Sequence, residues 1–171
     1  MNADMVALEK LNAELQLDIE RLAELRSANE RAARRVAVGN PDELEYAALG
    51  YTIHNIFNLI ENYATRIART FENAIDPASW HRELIERMQL SIAGVRPALW
   101  DRNLAGRIDE LRRFRHVFRN MYANDLDPKR VAAVQDGVPA TLTLFCAAHD
   151  RFTADLAAMI RAREDETLND R

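Results

Sequence analysis

The 171-residue sequence predicts an all-α fold, an up-and-down bundle of about five helices. Three observations lead there. Apolar residues recur every three or four positions over long stretches, the period of a helix with one buried face. Gly and Pro number only five each, so long uninterrupted segments are available. No stretch keeps the strict alternation of a half-buried strand. The length suits one domain with a sizeable core, residues 1–171, and is short for two.

The first helix is expected over about residues 3 to 36. Leu8, Leu11, Leu15, Ile19, Leu22 and Leu25 draw one stripe, and charged residues fill the opposite face. More than thirty residues exceeds what a bundle of this size requires, so its exposed part is expected to serve as a dimerisation surface. Gly39-Asn40-Pro41 ends the helix and restarts the chain. Asn40 can cap, Pro41 suits the first helical position, and Asp42 with Glu43 complement the dipole. The second helix should then run to about Ala74. Its broad apolar face of Ile53, Ile56, Phe57, Ile60, Tyr63, Ala64, Ile67 and Phe71 marks it as the central one. Asp76-Pro77 stops it, and a third helix opens near Ser79 with Trp80, Leu84, Ile85 and Met88. Gly94 to Pro97 is a turn. The fourth helix begins around Asp101 and ends by Tyr122 or Ala123. After a turn over Asn124 to Pro128, the fifth fills about residues 128 to 164, with Gly137-Val138-Pro139 the place where it would break. Residues 164 to 171 are expected to fray.

Composition narrows the function classes. Lys+Arg total 23 against 27 Asp+Glu, a net charge of −4. Proteins that coat duplex nucleic acid are usually basic, so a small enclosed anion site fits this chain better than a long groove. The single Cys146 cannot form an internal disulfide, and its apolar neighbours suggest a small buried hydrophobe rather than a nucleophile. Asp4, Glu9, Lys10 and Glu14 break any signal-peptide pattern. No continuous apolar run approaches the ~20 residues needed to span a bilayer. A soluble cytoplasmic protein, without a membrane role, is therefore expected. Glycine-rich phosphate loops, serine elbows and cysteine nucleophile motifs are also missing from the sequence.

The chemistry concentrates in Arg112-Arg113-Phe114-Arg115-His116-Val117-Phe118-Arg119-Asn120-Met121-Tyr122. Phosphate-handling sites need forked cationic donors and a group that titrates near neutral pH. At about 100° per residue, Leu111, Phe114, Phe118 and Met121 fall on the core side of the helix. Arg112, His116, Arg119 and Asn120 lie on the opposite half, with Arg115 and Tyr122 at the edge. Arg115 and Asn120 diverge by roughly 140°, so their convergence needs a distorted helix end or a second copy across a two-fold axis. The plainer alternative is that these arginines pair with carboxylates of neighbouring helices and favour the helix C-terminus.

The run Trp80-His81-Arg82-Glu83-Leu84, then Val95-Arg96-Pro97, Phe114 through Tyr122 and Leu126-Asp127-Pro128 resembles the HepT-like branch of the HEPN superfamily. The resemblance covers about residues 44 to 135. It implies a small all-α homodimer that acts as a metal-independent endoribonuclease toxin, with an RNA-cleaving cleft between protomers and no cofactor. It also implies a partner, a minimal nucleotidyltransferase antitoxin that silences the toxin by attaching AMP to the motif tyrosine. The family motif is Arg, four residues, His, one residue, Tyr. By position, Arg115 is the motif arginine, His116 the polar residue after it, and Tyr122 the motif tyrosine and AMP acceptor. Asn120 stands where the motif histidine would be. Its carboxamide can orient a hydroxyl or phosphate oxygen but does not titrate in the useful range. Arg115 and Arg119 would hold charge on the phosphorane, and His116 is the segment's candidate acid–base group. Either His116 takes over that role and the protein stays a nuclease, or catalysis is gone and the cleft binds RNA, a nucleotide or the partner enzyme.

Polar residues outside this segment add to the expected site. Arg112 joins the expected substrate-binding group, as do Asn58, Glu61 and Asn62 on the second helix, whose stripe with His54 could pair with the fourth helix or wall the cleft. No third ligand follows His54 and Glu61 at metal spacing, so no metal site is expected. His81 reads as a packing or capping residue, and His149, beside Asp150 and Arg151, as part of a solvated face.

Overall fold

The computed structural model describes residues 3–72, 80–119 and 126–169. Five helices account for nearly all of them: α1 Ala3–Ala37, α2 Glu43–Phe71, α3 Trp80–Arg87, α4 Arg102–Arg119 and α5 Pro128–Asn169. The all-α bundle is as expected. Central α2 packs on all four other helices, while α1 also meets α5, and α4 meets α3 and α5. Asp18 on α1 lies by Arg66 on α2, and Asn29 by Thr52, so the two helices run antiparallel. Gly50 against Phe118 and Glu61 against Arg115 give α2 and α4 the same relation.

Why the helices start where they do is legible in their caps. α1 ends before Gly39, whose φ of +105° suits a residue without a side chain. α2 begins at Glu43, two residues later than Pro41 suggests. Asp42 and Glu45 form a reciprocal capping box: the Asp42 carboxylate accepts from the Glu45 amide at 3.0 Å, and Glu45 accepts from the Asp42 amide at 3.2 Å. That pairing satisfies two amides reciprocally, where an Asn40 cap would satisfy one. Asp101 caps α4 through the Leu104 amide at 2.8 Å, and Asp127 caps α5 through the Lys129 amide at 3.0 Å. Between α3 and α4 the chain turns at Gly94 (φ +73°), flanked by an antiparallel bridge from Ile92 to Arg96.

α5 does not break at Pro139. The missing amide lies on the exposed side, while buried Val138 and Leu142 hold the helix to the core through the proline. Leu8, Leu11, Leu15 and Leu22 of α1, the predicted face of α2, and Val138, Phe145, Phe152 and Leu156 of α5 form one apolar cluster. Phe71 of α2 and Ile19 and Leu25 of α1 are only partly buried against it. By length and composition α5 is apolar enough to cross a bilayer, a property that the core helix of a soluble bundle shares. Its Val131, Val138, Leu142, Phe145 and Ala148 are instead buried in the bundle.

Two polar contacts lie inside this core. Asn29 donates to Thr52 at 2.9 Å and exchanges paired amide bonds with Gln135 at 2.8 and 2.9 Å, tying α1, α2 and α5 together. Asn29 is only 2% exposed. His149 is buried as well and meets the Tyr63 hydroxyl at 2.8 Å, so it does not belong to a solvated face. In an α5 that packs on both α1 and α2, the turn carrying His149 points inward, a consequence of tertiary packing that its charged neighbours conceal.

Candidate active site

Helix α4 carries its arginines on the outside because Leu104, Ile108, Leu111 and Phe114 take the core side. Phe118 closes that face, stacked on Phe114 at 5.6 Å between ring centres and tilted against His54 at 5.8 Å. α2 approaches α4 closely at this level: a Cβ on Gly50 would lie 2.5 Å from Phe118 Cε2. The close approach brings the polar stripe of α2 against the last turns of α4.

Arg115 sits at the edge, as the helical wheel predicts, with 17% of its side chain exposed. Its guanidinium lies 5.4 Å above the Phe57 ring centre, and Nη1 is 3.5 Å from Glu61 Oε2. Arg115 Nε is buried and meets no acceptor among the described residues. The arginine thus has a carboxylate neighbour, loosely held, with donor capacity to spare. Glu61 reaches further: its Oε1 accepts from His81 Nδ1 of α3. One carboxylate, 11% exposed, therefore stands between an imidazole and a guanidinium.

In front of that carboxylate, His81, Arg112, Arg115, His116 and Arg119 line a pocket of about 270 Å³. Asp109 holds one of the pocket's cations, Arg112, together with Arg113, which lies outside the lining. Asp109 receives Arg112 Nε at 2.7 Å, and Arg113 from the exposed side at 2.6 Å. Arg119 and His116 are exposed on the last turn. Single-chain convergence of three arginines and two imidazoles needs no second copy. The divergence expected of Arg115 and Asn120 is a separate matter, since Asn120 and Tyr122 lie outside the described residues.

Asn58, Glu61 and Asn62, expected among the substrate-binding residues, do not line this pocket, although Glu61 contacts two residues that do. Asn58 is hydrogen-bonded to His54 Nε2 at 2.9 Å, and Asn62 is exposed one position beyond Glu61. Burial lowers the His54 pKa from its ordinary value, and Arg115 and Arg119 lower it further. The ring is therefore held neutral, with a buried Nδ1 that has no partner among the described residues. Burial raises the Cys146 pKa, in keeping with an inert thiol. Among the described residues, no three His, Cys, Asp or Glu side chains converge as a metal site.

His81 is the pocket residue that sequence reasoning did not assign to the site. No helical spacing connects residue 81 to residues 61 and 115; only the packing of α3 on α2 and α4 does. The family model described as HepT-like protein matches residues 48–156, more than half of the chain. The chain belongs to the HepT-like family. No curated protein and no solved structure matches it. The matched span of this HepT-like chain contains every residue of the pocket and all of α2 from Ala48 onward, and leaves out all of α1.

Proposed function

We propose that this HepT-like protein is a cytoplasmic ribonuclease toxin of a toxin–antitoxin pair, a metal-independent endoribonuclease whose cleft is completed in a homodimer. HepT-like proteins are of the HEPN type, often ribonuclease toxins, and generally pair with antitoxins. The observation that carries the reading is the pocket in which Arg112, Arg115 and Arg119 surround two imidazoles. Phosphodiester cleavage through the 2′-hydroxyl needs that combination: positive charge on the pentacoordinate phosphate and groups that exchange protons near neutral pH. In this reading Arg115 and Arg119 stabilise the phosphorane, Arg112 binds a flanking phosphate, His116 moves a proton, and Asn120 orients the substrate. Tyr122 positions RNA and accepts AMP from a minimal nucleotidyltransferase antitoxin.

Cleavage of RNA by the purified protein in excess chelator tests this. Arg115→Ala should lower kcat by about 100-fold or more, the usual cost of removing a charge-stabilising donor. Incubation with the nucleotidyltransferase and ATP should add one AMP to Tyr122, read by mass spectrometry. Asn120 favours a second reading, a catalytically degenerate module that holds the nucleotidyltransferase or nucleic acid. Inactive wild type that gains cleavage on Asn120→His would select that alternative.

A further inference from the structure

The pocket contains one more titratable group than the sequence assigns to it, and that group has an orienting partner. His81 Nδ1 is bonded to Glu61 Oε1, a carboxylate that touches two lining residues, His81 and Arg115, without lining the pocket itself. A carboxylate can only accept, so Nδ1 carries the proton and the neutral ring keeps its lone pair on Nε2. The imidazole is 48% exposed, while the carboxylate behind it is 11% exposed and also faces Arg115. A half-buried acid that fixes the tautomer of an accessible imidazole is the arrangement that prepares a histidine to take a proton. His116 lines the same pocket, together with Arg112, Arg115 and Arg119.

We propose that His81, oriented by Glu61, is a catalytic residue: the base that removes the 2′-hydroxyl proton while His116 gives a proton to the leaving oxygen. The inference rests on the ribonuclease reading and supplies what Asn120 withholds from it. As the 2′-oxygen attacks phosphorus, its proton passes to His81 Nε2. The O2′–P bond forms, the P–O5′ bond breaks, and the imidazolium of His116 protonates the departing 5′-oxygen. The products are a 2′,3′-cyclic phosphate and a 5′-hydroxyl end, with no other reactant. Water or buffer returns the two histidines to their starting protonation states. His54, the neighbouring imidazole, is not part of the pocket lining and cannot share this role.

The test is the pH–rate profile of RNA cleavage by wild type, His81→Ala and His81→Gln. The charged groups facing His81 are Glu61 from α2 and Arg112, Arg115, His116 and Arg119 from α4. Wild type should give a bell, with the base on its acid limb. Both variants should lose about 100-fold or more in kcat, flatten that limb, and, for His81→Ala, recover rate with added imidazole. Unchanged thermal unfolding by circular dichroism would separate this loss from misfolding. An active wild type whose His81 variants keep rate and profile would overturn the role of His81 and leave the ribonuclease reading standing. A wild type that cleaves no RNA would overturn both.

Discussion

Arg96 has no exposed side-chain surface, yet every part of its guanidinium is engaged. Nε and Nη2 both reach Glu72 Oε1, at 2.8 and 2.6 Å, and the carbonyls of Leu90, Arg87 and Pro97 take the remaining donors. A buried cation of this kind is tolerated only because its partners are complete. Glu72→Ala should therefore cost about 2–3 kcal/mol, somewhat below the usual loss for a broken buried pair because three carbonyls remain. For a chain of this size that corresponds to a drop of roughly 5–10 °C in Tm, measurable by calorimetry. At this scale the sequence is only partly readable. Arg115 falls at the core edge by helical arithmetic, and the carboxylate of α2 is a natural partner for an arginine of α4. The joins from Arg96 to Glu72, His149 to Tyr63 and His81 to Glu61 link residues with no periodic relation, and only the assembled fold creates them.

Gly50 and Phe118 decide how near α4 comes to α2. The missing Cβ is filled by the Phe118 ring, whose other neighbours are Phe114 and His54. Gly50→Ala gains about 1 kcal/mol of helix propensity, and crowding a packed ring costs about 1–3 kcal/mol. A net loss near 1 kcal/mol is expected in urea unfolding. Phe118→Leu should lose much of its own cost when placed in the Gly50→Ala background, so a double-mutant cycle should show coupling. The helices themselves were legible because long apolar stripes, few glycines and four clear turn signals all point one way. Their details depended on competition between local rules. The Asp42–Glu45 box displaced Asn40 as the cap, and core packing of Val138 and Leu142 carried α5 through Pro139.

Stability of the whole molecule should depend on pH through its interior histidine. Burial lowers the His149 pKa below its ordinary value while Asp150 raises it, and burial also raises that of its Tyr63 partner. With the folded value lowered, the unfolded chain binds the proton first. Stability is therefore full above about pH 6.5 and falls as pH drops through that value toward the folded pKa. Urea midpoints at pH 7.5 and 5.5 should differ, and His149→Phe should reduce the difference; an equal slope in that variant would remove His149 as the cause. Over the same whole-molecule scale, the paired carboxamides of Asn29 and Gln135, with Thr52 beside them, work as a dowel. Sliding α1 by one residue advances it about 1.5 Å and turns it about 100°, enough to part all three groups. The exposed face of α1 is thereby indexed to the body beneath it. Anything that comes to rest along α1 meets the same sequence of side chains at the same height in every copy.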